Sequence, residues 1–348
     1  MKTLYFNVVV FVAVTLLVVV LLVAMMIGPS HIESLALVQI LLNIIFETQF
    51  AGVFVDIASW QQTVVYQVRL PRVIIAGLVG ASLSLSGAVL QGIFRNPLAS
   101  PSILGVSSGA SLGAIIAIFL GLAASNMWSL PLFAFIGAGV TLLFVYRIAT
   151  HRGHAPIGTL LLSGVAVGSF NVAMSSLIIA LAMQQWEVGR TIVFWTMGGL
   201  DGRGWYHVLL LLPVFLFSLV VILSYKRDLD ILLVGEVHAN AVGVDVVRVR
   251  KHLLLVTALL TGCSVSIAGG IGFIGLVVPH ITRLLVGPHH RRLLPITALL
   301  GAIILVLADL LIRGNASYAS IPLGVVTGAM GAPFFLFLLL KQRKIMQG

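Results

Sequence analysis

Gly80-Ala81-Ser82-Leu83-Ser84-Leu85-Ser86-Gly87 recurs 182 residues later as Gly262-Cys263-Ser264-Val265-Ser266-Ile267-Ala268-Gly269. Pro97 and Pro279, each 17 residues after the first glycine of its copy, keep the same offset. Gly77, Gly80, Ser84 and Gly87 follow a 3-4-3 spacing, and Gly262, Ser266 and Gly269 repeat it. That spacing gathers small residues on one helix face, where a neighbouring membrane helix can approach closely. A repeated small-faced apolar helix predicts a chain made of two related halves. Two helices that independently need small residues for packing are the alternative.

Working outward, AVILMFWYC residues make up 60% of the 348 positions and the 35 glycines come on top, while only 9% are charged. Soluble domains are about 25% charged. This composition excludes a disordered tail, a collagen-like rod and a nucleic-acid-binding domain, and it argues against a soluble enzyme, which would expose too much apolar surface. The expected class is all-α: a polytopic membrane protein. The single cysteine, Cys263, allows no disulfide framework and no cysteine metal site.

At about 20 apolar residues per crossing, ten spans are predicted. The first is 5–27, uncleaved because it lacks a small-x-small site and outruns the h-region of a signal peptide. A long outside connection over 28–71 follows, with an interfacial helix in His31–Phe50. The first repeat half, 72–183, holds spans near 72–94, 100–122, 129–149 and 157–183. The sixth span is 206–225, the main inside connection 226–251, and the second half, 252–341, holds spans near 252–268, 271–286, 293–312 and 322–340. Whether 252–286 is one bent helix or two short ones is open. Both termini then share the side carrying 15 of the 20 Lys and Arg residues, which the positive-inside rule assigns to the cytoplasm. Span 2 matches span 7, five spans on; an odd offset inverts the halves in the bilayer, an architecture recurrent in transporters.

The spans are nearly free of the ionisable groups that proton- or sodium-coupled carriers place at mid-membrane. Asp309 is the main exception, and Arg313, four residues on, is placed to neutralise it. His280 follows Pro279 and is expected to satisfy local polar groups. His289-His290, beside Arg291-Arg292, reads as a solvated loop pair rather than a metal site. No G-x-x-x-x-G-K-[ST] loop is present, nor a nucleophile–base pair. A chain that moves a solute without an energy source of its own needs a partner to drive it. The inside connection holds Gly235-Glu236-Val237-His238-Ala239-Asn240-Ala241-Val242-Gly243, where glycines can end one short helix and start another; it reads as a docking element or as a plain polar connector.

Several stretches, in order along most of the chain, resemble permease subunits of type II ABC importers, the FecCD-like family. They are Arg69-Leu70-Pro71-Arg72, Ser86-Gly87-Ala88-Val89-Leu90-Gln91-Gly92, Asn96-Pro97-Leu98-Ala99, Leu104-Gly105-Val106-Ser107-Ser108-Gly109-Ala110, Gly235 through Gly243, Gly272-Phe273-Ile274-Gly275-Leu276-Val277-Val278-Pro279-His280, and Pro322-Leu323-Gly324-Val325-Val326-Thr327. The resemblance implies ten helices, a dimer with a second permease copy or paralogue, two cytoplasmic ATPases that hold the ATP and magnesium, and a periplasmic binding protein above; the chain itself would bind no cofactor. It implies ATPase coupling through Glu236, Ala239 and Gly243 and a cytoplasmic gate at Asn96, Pro97 and Leu98. A second gate turn, hydroxylated in the cobalamin relative, departs from that pattern here and reads Ile157-Gly158.

The resemblance also places Arg69, Arg72 and Arg313 against acidic groups of the binding protein. Rim charges of this kind steer encounter; snorkelling to lipid headgroups is the competing reading. Arg190 and Arg203 are expected to be surface charges. The function expected is import of a bulky iron chelate, ferric siderophore or haem, across the inner membrane, with cobalamin import or ion-coupled secondary transport as the alternatives.

Overall fold

A computed structural model describes residues 2–30, 32–46, 57–150, 156–314 and 321–347. All regular structure among them is helical. The main helices are α1 (Lys2–Met26), α2 (Ser34–Phe46), α3 (Ser59–Phe94), α4 (Val106–Phe119), α5 (Ser129–Ala149), α6 (Ile157–Ala182), α7 (Trp186–Thr196) and α8 (Trp205–Ser224). They continue with α9 (Lys226–Val234), α10 (Glu236–Ala241), α11 (Val246–Ala268), α12 (Ile274–Val286), α13 (His290–Arg313) and α14 (Leu323–Gln347). A 3-10 turn, Pro101–Leu104, leads into α4.

Seven helices among the described residues are long and apolar enough to cross a membrane: α1, α3, α5, α6, α8, α11 and α13. The expected spans near 100–122, 271–286 and 322–340 correspond to shorter apolar helices, Val106–Phe119, Ile274–Val286 and Leu323–Leu336. The question over 252–286 resolves into two helices, because Gly269 (φ +68°) and Phe273 (φ +65°) lie in the left-handed region and break the run. Within the expected outside connection 28–71, α3 begins at Ser59. The span expected from 72 is preceded by helix, and the chain passes Pro71 without a break. A π turn over Val64–Arg69, closed by Leu70 N–H donating to Val65 O, widens the ladder just before the proline, where a proline removes a donor and crowds the previous turn. The expected interfacial helix is α2 as far as Phe46, and the rest of that stretch lies outside the described residues.

The two repeat-bearing helices form the centre. Every residue from Val79 to Phe94 in α3 is buried, as is every residue from Leu260 to Gly269 at the end of α11. The small faces explain how. A Cβ on Gly80 would strike the Gly301 backbone of α13, and one on Gly87 would enter the Gly275 carbonyl of α12. A Cβ on Gly262 would come within 2.9 Å of the Ala138 Cβ of α5. Ser84 Oγ sits where a Cβ on Gly301 would fall. Ser266 Oγ turns inward, donating to Cys263 O at 2.8 Å. The contacts come in matched sets: α3 packs on α13 and α12, while α11 packs on α5 and α4. Exchange of spans 2–5 with spans 7–10 requires this pattern. The copies diverge at their ends, where α3 continues past Gly87 but α11 stops at Gly269, because Gly269 closes against the carbonyl of Trp195 and against Gly198.

Candidate functional site

The shortest apolar helices of the two halves, α4 and α12, occupy corresponding places in the repeat, third and eighth in the predicted span order. Short, Gly- or Pro-interrupted segments at matched positions are the sequence mark of a transporter's substrate path. Their leads meet beside the middle of α3. A Cβ on Gly275 would touch both Leu83 O and Pro101 Cδ. A cavity of about 370 Å³ lies there, lined by Ser100, Ser102 and Ser107 on one side and by Gly270, Gly272 and Phe273 on the other. Phe273 keeps its left-handed backbone with its ring against Gly331 of α14, where no Cβ could fit. None of the residues lining this cavity carries a charge.

At its C-terminal end α3 closes in a Schellman motif. Arg95, at φ +49°, donates to Gly92 O, and Asn96 N–H donates to Gln91 O at 3.2 Å. Asn96 Oδ1 then accepts from Leu98 N–H at 2.9 Å, an Asx turn that fixes Pro97 and leaves Leu98 exposed. Gln91 ties this end to α12 by donating to Leu276 O and accepting from Arg283.

The segment expected to couple is folded as two short helices. Gly235, at φ +141°, separates α9 from α10, and Gly243, at φ +86°, ends α10 in a second Schellman motif, with Val244 N–H donating to Ala239 O at 2.9 Å. Ala239 is fully buried. Glu236 accepts from Arg250 of α11 at 2.5 Å and lies 3.8 Å from Arg95, so one carboxylate joins this segment to α11 and to the end of α3. Val237, at 86% exposure, and Val234, at 69%, face outward. α9 is anchored by Leu229 and by Asp230, which accepts from His290 N–H at 2.8 Å and pairs with its ring Nδ1 at 2.7 Å. Burial alone would raise the Asp230 carboxyl, but the His290 hydrogen bonds and the neighbouring imidazoles outweigh it and hold it below the usual carboxylate range. His290 is therefore a buried structural partner, not the solvated histidine expected; His289 is the exposed one.

The three arginines expected on the outer rim are all engaged within the chain. Arg69 is 3% exposed and donates to the carbonyls of Met25 (2.6 Å), Met26 (2.9 Å) and Ser30, capping the C-terminus of α1, where orphan carbonyls favour a cation. Arg72 makes a forked contact with Asp309, at 3.1 and 2.8 Å, and reaches Asp201 at 2.6 Å. Arg313 Nε stands 2.8 Å from Asp309 Oδ2, so the expected Asp309–Arg313 pair is present but shared with Arg72. Two cations and two anions balance there. Each arginine expected on the rim thus has a partner within the chain, Arg69 in the α1 carbonyls and Arg72 and Arg313 in Asp309.

Arg203 is likewise no surface charge. Its Nε donates to Ile267 O at 2.6 Å, closing the end of α11, and burial pushes its guanidinium below its ordinary value. Arg190 stays exposed, 5.6 Å from the Phe194 ring. His280 finds no hydrogen-bond partner among the described residues, against expectation. Among the described residues no cluster of three or more His, Cys, Asp or Glu could hold a metal.

Known proteins match this chain in sequence and fold. The FecCD transport family matches residues 16–341. The cobalamin import system permease protein BtuC of Halobacterium salinarum is 48% identical over 278 residues, 80% of this chain and 73% of that protein. The Fe(3+)-citrate import system permease protein YfmD of Bacillus subtilis is 39% identical over 292 residues, 84% of this chain and 86% of that one. A solved inward-facing structure of a metal-chelate type ABC transporter superposes with a TM-score of 0.83 at 34% identity, covering 96% of this chain and 99% of that chain. With a buried small-faced repeat at its centre and a family match over nearly its whole length, the chain belongs to the FecCD transport family as a membrane permease of ABC-importer type.

Proposed function

We propose that this permease passes a bulky metal chelate from a binding protein outside to the cytoplasm, driven by two separate ATPases that hold the nucleotide and magnesium. The observation that carries the reading is the uncharged serine and glycine cavity where α4 and α12 begin. A path without fixed charge lets a large ligand through without trapping it, since transit needs binding weak enough to leave. Two helix N-termini open beside it, and their partial positive ends suit the anionic groups a chelate carries.

Ferric chelates and cobalamin both belong to this class. The 48% identity to a cobalamin permease favours the corrinoid over the ferric siderophore or haem expected from sequence. On this reading the ATPase seats against Val234, Val237 and the α9–α10 turn, and closure of the ATPase pair moves Glu236 with α10. Glu236 carries the movement through Arg250 to α11 and through Arg95 to the Asn96–Leu98 gate turn. A second permease, identical or paralogous, completes the path, and both termini lie in the cytoplasm of an inner-membrane assembly.

The test is uptake by proteoliposomes holding the permease with its ATPase, supplied with loaded binding protein. ATP-dependent accumulation of labelled cobalamin or ferric citrate, unaffected when proton and sodium gradients are collapsed, is expected. Accumulation that follows an ion gradient without ATP would overturn the reading in favour of a secondary transporter.

A further inference from the structure

α5 and α11 touch where Gly262 meets Ala138, and on the cytoplasmic side of that contact a groove of about 730 Å³ opens between them. Leu142, Leu143, Leu254 and Leu255 supply much of its wall. Leu143 and Leu255 are about half exposed, so the groove opens outward. Its lining changes character at one end, where Arg147 and Lys251 stand at the mouth beside Tyr146. Neither cation has an acidic partner within ion-pair distance among the described residues. From Phe135 to Arg147 the groove follows α5 for twelve residues, about 18 Å at the helical rise. One leaflet of a bilayer core is about 15 Å deep.

We infer that this groove is a binding site for one anionic phospholipid of the cytoplasmic leaflet, its acyl chain along α5 and α11 and its phosphate between Arg147 and Lys251. The apolar length matches one chain, and the unpaired charges match one headgroup. A second groove, of about 470 Å³ between α1, α3, α8 and α13, has no charged residue in its lining; it gives the internal contrast, since a chain there would show no headgroup preference. Juxtamembrane cations favour anionic lipid by roughly fivefold each.

The experiment measures lipid retained by the full chain, by native mass spectrometry after exchange into mixed phosphatidylglycerol and phosphatidylcholine nanodiscs. The wild-type chain should keep phosphatidylglycerol selectively. Arg147→Gln with Lys251→Gln should lower that selectivity at least tenfold while leaving the unfolding temperature unchanged. Gly139→Leu fills the groove from a position where an added Cβ meets nothing within 4 Å, and it should remove the retained lipid whatever its headgroup. Free inorganic phosphate should not displace the lipid. Selectivity equal in the wild-type chain and the double variant, lipid still retained by Gly139→Leu, displacement by phosphate alone, or cross-linking of the groove to a second permease copy in place of lipid would overturn the site.

Discussion

At the scale of single residues, Asp309 is the group on which most depends. It is buried and holds Arg72 and Arg313 together, so Asp309→Asn should destabilise the chain by about 3–5 kcal/mol, because it leaves buried cations uncompensated; thermal unfolding in detergent checks it. Gly87→Ala tests the central seam. With the Gly275 carbonyl in the way of a Cβ, overpacking should cost at least about 1–3 kcal/mol, whereas Gly139→Ala, in open space, should be nearly neutral. Asp230 sets an acid dependence. Its folded carboxyl titrates below the ordinary range, so its contribution is complete above the ordinary carboxylate pKa and disappears as pH falls through the lower folded value. Below about pH 4 the wild-type chain should therefore lose more stability than Asp230→Asn does. The small residues of the repeat were legible because their spacing is local and periodic. The fates of Arg69 and Arg72 were not, since Met25 is 44 residues from Arg69 and Asp309 is 237 from Arg72, and a single sequence says nothing about such pairs.

At the scale of elements, the α9–α10 segment was readable from its glycines, and Gly235 and Gly243 do adopt the left-handed backbones that let two short helices meet and end. The outward valines carry its prediction. Val237→Asp should weaken ATPase retention roughly tenfold in co-purification, since an exposed apolar anchor is the usual centre of an interface, and should leave the unfolding temperature unchanged. Glu236→Gln should instead leave the ATPase bound but lower the transport achieved per ATP hydrolysed. What the sequence concealed was the length of the crossings. Composition marks α4 and α12 as apolar, but the breaks that shorten them depend on Gly105 and Phe273 taking left-handed backbones. For Phe273 no propensity announces that: a bulky non-glycine residue is held there by the fold, with its ring on Gly331 of a distant helix.

At the scale of the whole molecule, two halves share one core. The first half's α3 rests on the second half's α12 and α13, and α11 rests in turn on α4 and α5, so neither half can be a separate folding unit; expression of 1–225 without the remainder should yield protein that aggregates or is degraded, as judged by gel filtration. One element is also much longer than a crossing needs. α3 is an unbroken helix of 36 residues, about 54 Å at the helical rise, against a bilayer core of about 30 Å. Its backbone hydrogen bonds make it stiff along its length, with Trp60 in its first turn and Asn96 just beyond its last. A helix that long resists bending between its Trp60 and Asn96 ends, and the π turn before Pro71 is the place where its hydrogen-bond ladder departs from the α pattern.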